Sequence, residues 1–150
     1  LQRARQLKDI RQLDLFGRAH IADFMVEKDA IFAELTLDPD ELALYKQVSE
    51  QLFALPVLPD LVIYLQAPVQ VLCERIAQRG IGYEQTVDTD YLQALVEAYG
   101  EFFASYDKTR LLVVDTVSID LVGRDDDYNA LLRALDRLET GRHYFNPAPW

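Results

Sequence analysis

Cysteine is almost absent: Cys73 is the one thiol in 150 residues. A single thiol forms neither an internal disulfide nor a cysteine-based zinc site, so the composition fits a reducing cytoplasm, and Cys73 is expected to pack in the core. Long hydrophobic runs are missing as well. Half the chain is apolar, at 50%, yet no stretch approaches the about 20 consecutive apolar residues of a bilayer-spanning helix, so no membrane partner is expected. Positive charge is scarce. Fifteen Lys and Arg face 25 Asp and Glu, a formal net charge of −10, which argues against a nucleic-acid partner held by its phosphate backbone. A small phosphorylated ligand stays admissible, because it needs only a few cations placed in a cleft.

No secretory signal is legible. Leu1-Gln-Arg-Ala-Arg-Gln is basic and polar and leads into an amphipathic pattern. Since the chain opens on Leu1, already inside that pattern, an N-terminal portion is expected to lie outside it. Internal repeats and low-complexity segments are absent, and His20 and His143 have no ligand spacing, so both are expected to be structural and no metal site is expected.

What is present is organised around Leu61 to Glu84. Leu61-Val-Ile-Tyr-Leu65, bounded by Pro-Asp and by Gln-Ala-Pro, reads as a short strand buried on both faces. Pro68 suits the first turn of a following helix, with Val69, Leu72, Cys73 and Ile76 on one face and Arg75 and Arg79 near its C-terminal end. Gly80-Ile-Gly82 ends that helix and opens a loop carrying Glu84. Strand, helix, two arginines one turn apart and a glycine-hinged loop could bring positive charge onto a phosphate ester. Cations in the last turn of a helix also interact favourably with its dipole, and spacing alone leaves that structural role as the ordinary expectation.

The flanking sequence alternates in the same way. Leu1, Ala4, Leu7, Ile10 and Leu13 predict an amphipathic helix over the first sixteen or so residues, closed by Gly17. Ala19-His-Ile-Ala-Asp23 reads as a strand with its acid at the carboxyl end, where open α/β sheets bind ligands; alone, a solvated loop aspartate would be favoured. Phe24 to Leu37 suggests a short helix, in which Phe32 is more often core than ligand stack. Asp38-Pro-Asp-Glu41 starts a helix with Leu42, Tyr45, Val48 and Leu52 as its apolar stripe. Asp88 caps an aromatic helix running to Tyr106, suited to a core or a subunit interface. Leu111 to Val114 is a second buried strand ending at Asp115; Asp125 to Asp127 begin a last helix with Leu131, Leu132, Leu135 and Leu138 inside; and His143 to Trp150 reads as a tail. Alternating strands and helices predict a single α/β domain over residues 1–150 with a parallel sheet.

Five segments then fall into one order. Asp23 with Lys28-Asp-Ala-Ile-Phe-Ala33, Leu58-Pro-Asp-Leu-Val-Ile-Tyr-Leu-Gln-Ala67, Val71-Leu-Cys-Glu-Arg-Ile-Ala-Gln-Arg-Gly80, Tyr91-Leu-Gln-Ala-Leu95 with Tyr99 and Phe102-Phe103, and Leu112-Val-Val-Asp115 resemble the C-terminal two-thirds of the deoxynucleoside kinases in their bacterial, deoxyadenosine/deoxyguanosine kinase-like form. The resemblance implies a P-loop kinase-type three-layer fold with a parallel sheet and an arginine-bearing lid. It implies transfer of the γ-phosphoryl group of ATP, with Mg2+, to the 5′-hydroxyl of a deoxynucleoside in nucleotide salvage, by a cytoplasmic homodimer that associates through helices. Arg75 and Arg79 correspond to the lid arginines over the phosphates, Glu84 to the lid glutamate on the sugar 3′-hydroxyl, Phe32 to the aromatic stack on the base, Asp29 to the acid on the base edge, and Asp23 to the acid at the end of the third strand.

Departures from the family pattern are equally legible. The acid-Arg-Ser triplet reads Asp23-Phe24-Met25 here, and Ala77 and Ile81 stand where some relatives add lid cations. No Gly-x-x-x-x-Gly-Lys-[Ser/Thr] occurs in these residues, and the family's general-base carboxylate is missing with it. The P-loop unit is thus expected outside this stretch, leaving the lid and base-recognition parts of a longer kinase, inactive as they stand. Two alternatives remain at this level: a non-catalytic interaction domain on the same fold, and a nucleoside monophosphate kinase of the thymidylate type.

Overall fold

Leu111 to Val114 are buried on both sides in the computed structural model, and the second half of the chain is built around them. The structure describes residues 19–52, 58–82 and 86–146. The helix expected over the first sixteen residues and Glu84 lie outside the described residues. The chain divides into two compact units, Leu1–Val57 and Leu58–Trp150.

The first unit contributes helices α1 (Val26–Thr36) and α2 (Pro39–Leu52). The start of α2 follows the expectation from sequence: Asp38 Oδ1 accepts from the N–H groups of Asp40 and Glu41, each at 2.9 Å, and Glu41 Oε2 accepts from Asp38 N–H at 3.3 Å. This reciprocal arrangement satisfies donors that a helix start otherwise leaves orphaned. The apolar stripe of α2 departs from expectation, since none of its residues is buried and Leu44, Val48 and Leu52 are exposed.

No strand forms at Ala19–Asp23. Ile21 is 99% exposed, and the segment has no ladder partner among the described residues. A strand exists only through pairing, so local alternation was insufficient.

In the second unit the order is β1 (Leu61–Gln66), α3 (Val69–Arg79), α4 (Thr89–Ser105), β2 (Arg110–Asp115), α5 (Asp125–Leu135) and β3 (Arg142–Phe145). The three strands form one sheet in the order β1-β2-β3, and both pairings are parallel. Leu61 pairs with Arg110 and Gln66 with Asp115, while Leu111 pairs with Arg142 and Val114 with Phe145. The expected parallel pairing of the strands at Ile63 and Val113 is therefore present. The tail expected from His143 onward is corrected at its start, since Arg142–Phe145 make β3. Gly141, at φ +97, turns the chain into it, and its carbonyl accepts from Leu111 N–H.

Alternation along the strands sets the two faces. Leu112 and Val114 point to one side, where they cluster with Ile119 and Leu131, and Leu61, Leu121, Leu135, Leu138 and Phe145 pack around that cluster. Leu132, expected inside, is 40% exposed, because α5 turns it away from this cluster. Tyr64 points to the opposite face and stacks on Phe103 of α4 with ring centroids 4.2 Å apart. Tyr99, Phe102 and Tyr106 extend the aromatic cluster. The aromatic face of α4 is thus used within the unit, and partial burial there pushes the Tyr64 phenol above its ordinary pKa. β1 is less buried than its sequence suggests: it is an edge strand among the described residues, and Ile63 and Leu65 are 40% and 55% exposed.

Candidate functional site

Parallel sheets offer a crevice at the carboxyl ends of their strands, and here the ends of β1 and β2 are joined. Thr116 follows β2 immediately. Its N–H and its hydroxyl both donate to Gln66 O, the last carbonyl of β1, each at 2.9 Å. The same threonine receives Arg75 from α3, whose Nη1–H donates to Oγ1 at 2.8 Å and whose Nη2–H donates to the carbonyl oxygen. Arg75 therefore lies at the carboxyl edge of the sheet, held as a planar fork suited to two acceptors.

Arg79 stands one turn further on, exposed, in the last turn of α3. Gly80 ends the helix in the left-handed region at φ +69, and its N–H donates to Ile76 O at 3.3 Å. Residues with a Cβ adopt that backbone at a cost, so glycine permits the abrupt exit. The expected pair of cations one turn apart is present on α3.

Beyond Thr116 the loop is pinned by carboxylates. Asp115 Oδ1 accepts from Val117 N–H at 2.9 Å. Asp120 Oδ1 accepts from Gly123 N–H at 2.8 Å and from Val122 N–H at 3.1 Å. These two donors, Gly123 first, hold the Asp120 carboxyl below its ordinary range, with the charges of Arg124 and Arg75 acting in the same direction. Asp120 N–H donates to Asp127 Oδ2 at 2.9 Å, which fixes the loop to the first turn of α5.

The remaining residues named from sequence lie in the first unit. Asp23 is exposed and precedes α1, so its placement at the end of a strand is corrected. Asp29, in the first turn of α1, and Phe32, one turn later, are both half-buried and share a helix face by their spacing. Thr116 and Asp120 were not singled out from sequence. A hydroxyl directly after a buried parallel strand was the available signal for Thr116.

The family model described as deoxynucleoside kinase matches residues 1–138. The chain belongs to the deoxynucleoside kinase family. It is 32% identical over 119 residues to a deoxyguanosine kinase of Bacillus subtilis, a match covering 77% of this chain and 58% of that protein. It is 23% identical over 131 residues to a deoxyguanosine kinase of Lactobacillus johnsonii, covering 77% and 58%, and to a deoxyadenosine kinase of Lactobacillus acidophilus, covering 77% and 60%. The chain thus spans about three-fifths of the length of these curated relatives. The α/β architecture with a parallel three-stranded sheet is consistent with a P-loop kinase-type fold.

Membership in a kinase family raises the question of magnesium. Among the described residues no group of three or more His, Cys, Asp or Glu side chains is placed to hold a metal ion. Magnesium in kinase sites is commonly held by one or two carboxylates together with the phosphates themselves, and these residues offer it no cage of their own. Among the described residues no helix is long and apolar enough to cross a membrane.

Proposed function

We propose that this chain is the lid and base-recognition part of an ATP-dependent deoxynucleoside kinase, which transfers the γ-phosphoryl group to a deoxynucleoside 5′-hydroxyl. The observation that carries the reading is the position of α3. It places Arg75 at the carboxyl ends of two parallel strands and Arg79 at its own exposed end. Phosphoryl transfer asks little covalent chemistry of a protein; positioning and stabilisation of charge on the transferred group dominate. Arg75 and Arg79 supply that charge, bind the ATP phosphates and exclude water as the lid closes.

Recognition of the acceptor falls to other residues. Phe32 stacks on the base, Asp29 accepts from its edge, Asp23 lies beside the acceptor, and Glu84 holds the sugar 3′-hydroxyl. A carboxylate at Asp29 suits the exocyclic amine of adenine or cytosine, or the N1–H and amine of guanine. The relatives named as deoxyguanosine and deoxyadenosine kinases support a purine.

The P-loop and the general base belong to the further length of a longer protein, which the coverage of the relatives supports. The exposed apolar residues of β1, Ile63 and Leu65, favour an added strand along that edge. The longer protein is a cytoplasmic homodimer associating through helices and acts in nucleotide salvage.

The test is to incubate the full-length protein with ATP, Mg2+ and each of the four deoxynucleosides and to measure the deoxynucleoside 5′-monophosphates formed. ATP-dependent formation of dGMP or dAMP is expected. A full-length, folded protein that phosphorylates none of the four overturns the reading.

A further inference from the structure

Thr116 joins the C-terminal half of α3 to the carboxyl ends of β1 and β2. Among the residues of α3 only Val69 is buried, and it is the first of the helix. The C-terminal half therefore lacks a fully buried apolar anchor, although it is the half that carries both arginines. A polar fastening to the sheet is the fork between Arg75 and Thr116, which are 41 positions apart in sequence. Thr116 is suited to this task because it is 6% exposed and its polar groups are all engaged. Its N–H and hydroxyl donate to Gln66 O, while Oγ1 and the carbonyl accept from Arg75.

A threonine held in this way cannot follow the arginine; the arginine must conform to it. Two contacts from one planar guanidinium fix direction as well as distance. Because residues four apart share a helix face, fixing Arg75 also fixes the side of α3 from which Arg79 emerges.

We propose that Thr116 is a positioning residue for phosphoryl transfer: its hydroxyl and carbonyl set the guanidinium of Arg75, and through it the rotation of α3, so that both cations meet the phosphates. The inference rests on the kinase reading and names the residue that sets the geometry of the lid helix. Thr116 does not touch substrate. It acts through Arg75.

The experiment compares Thr116→Val, Thr116→Ser, Arg75→Ala and the Thr116→Val/Arg75→Ala pair in the full-length kinase. Valine keeps the shape and removes the hydroxyl; serine restores it. Thr116→Val is expected to lower kcat about tenfold, the scale of one lost charge-assisted hydrogen bond, with the KM for the deoxynucleoside within about twofold of the parent. Thr116→Ser is expected to retain turnover within about twofold, and the double variant to be no slower than Arg75→Ala alone, as for two groups acting as one. Should the valine variant not fold, Thr116→Cys, with its weak donor, takes its place. Unchanged kcat in Thr116→Val, equal losses in the valine and serine variants, or multiplicative losses in the double variant each overturn the proposal. Failure of the kinase reading looks different. The unmodified full-length protein then phosphorylates no deoxynucleoside, while a double-mutant cycle on melting temperature still reports whether Arg75 and Thr116 act together.

Discussion

The guanidinium of Arg75 donates to both oxygens of Thr116, one of them at 2.8 Å, and so ties the middle of α3 to the residue that follows β2. Since Thr116 is itself bonded to the last carbonyl of β1, one helix and two strands meet at a single side chain. That junction lies where parallel sheets receive ligands. A cation in a helix can be ornamental, but this one is half-buried and satisfied by a buried partner. The dipole interaction that sequence spacing allowed for Arg75 is therefore too weak a description of its role in the fold.

The aromatic cluster under α4 has a direct stability consequence. Phe103 is buried and contacts Tyr64, Tyr99, Phe102 and Tyr106. Phe103→Ala removes a ring from a packed site and is expected to cost about 3–5 kcal/mol of unfolding free energy, measured by urea denaturation. A loss under about 1 kcal/mol would show that α4 is not fastened to the sheet by this residue.

Elements with a strong local signal were legible in the sequence. Asp38 and Asp88 announce their helices because a capping carboxylate bonds residues two or three positions away. Leu111 to Val114 was legible as a continuous apolar run of strand length bounded by polar residues. What failed depended on partners distant in sequence. Ala19–Asp23 carries a strand-like pattern without a ladder, while Arg142–Phe145 has little pattern and gains its strand from β2. The site divides in the same way. Arg75 and Arg79 were visible from helical spacing, whereas the partner of Arg75 lies 41 residues on, and the pairing itself has no local signal beyond a hydroxyl after a buried strand.

Asp120 is expected to titrate below the ordinary aspartate value of 3.8, because Gly123 and Val122 N–H groups bind its charged form. A depressed folded pKa means that its contribution to stability is present above the unfolded value and is lost as pH falls through the lowered one. The carboxyl carbon shift of Asp120 against pH checks this, and the amide shifts of Val122 and Gly123 are expected to follow the same curve. A midpoint at or above 3.8 would contradict the loop geometry.

Hydrogen exchange tests the edge of β1. Its backbone groups that face away from β2 have no ladder partner among the described residues. The proposed strand along this edge predicts that in the full-length protein these amides exchange about tenfold or more slowly than in the 150-residue chain. Equal exchange in the two would place the added strand elsewhere.

The central proposal is that α3 delivers cations to the phosphoryl group in transfer, and Arg79→Ala in the full-length protein tests it most directly. Arg79 is exposed at the helix end, so melting temperature is expected to hold. Contacts made chiefly in the transition state act on turnover. The account predicts a fall in kcat of about a hundredfold with the deoxynucleoside KM little changed. A variant that loses its fold while its remaining folded fraction is fully active would contradict it, and would return Arg79 to a purely structural role at the end of its helix.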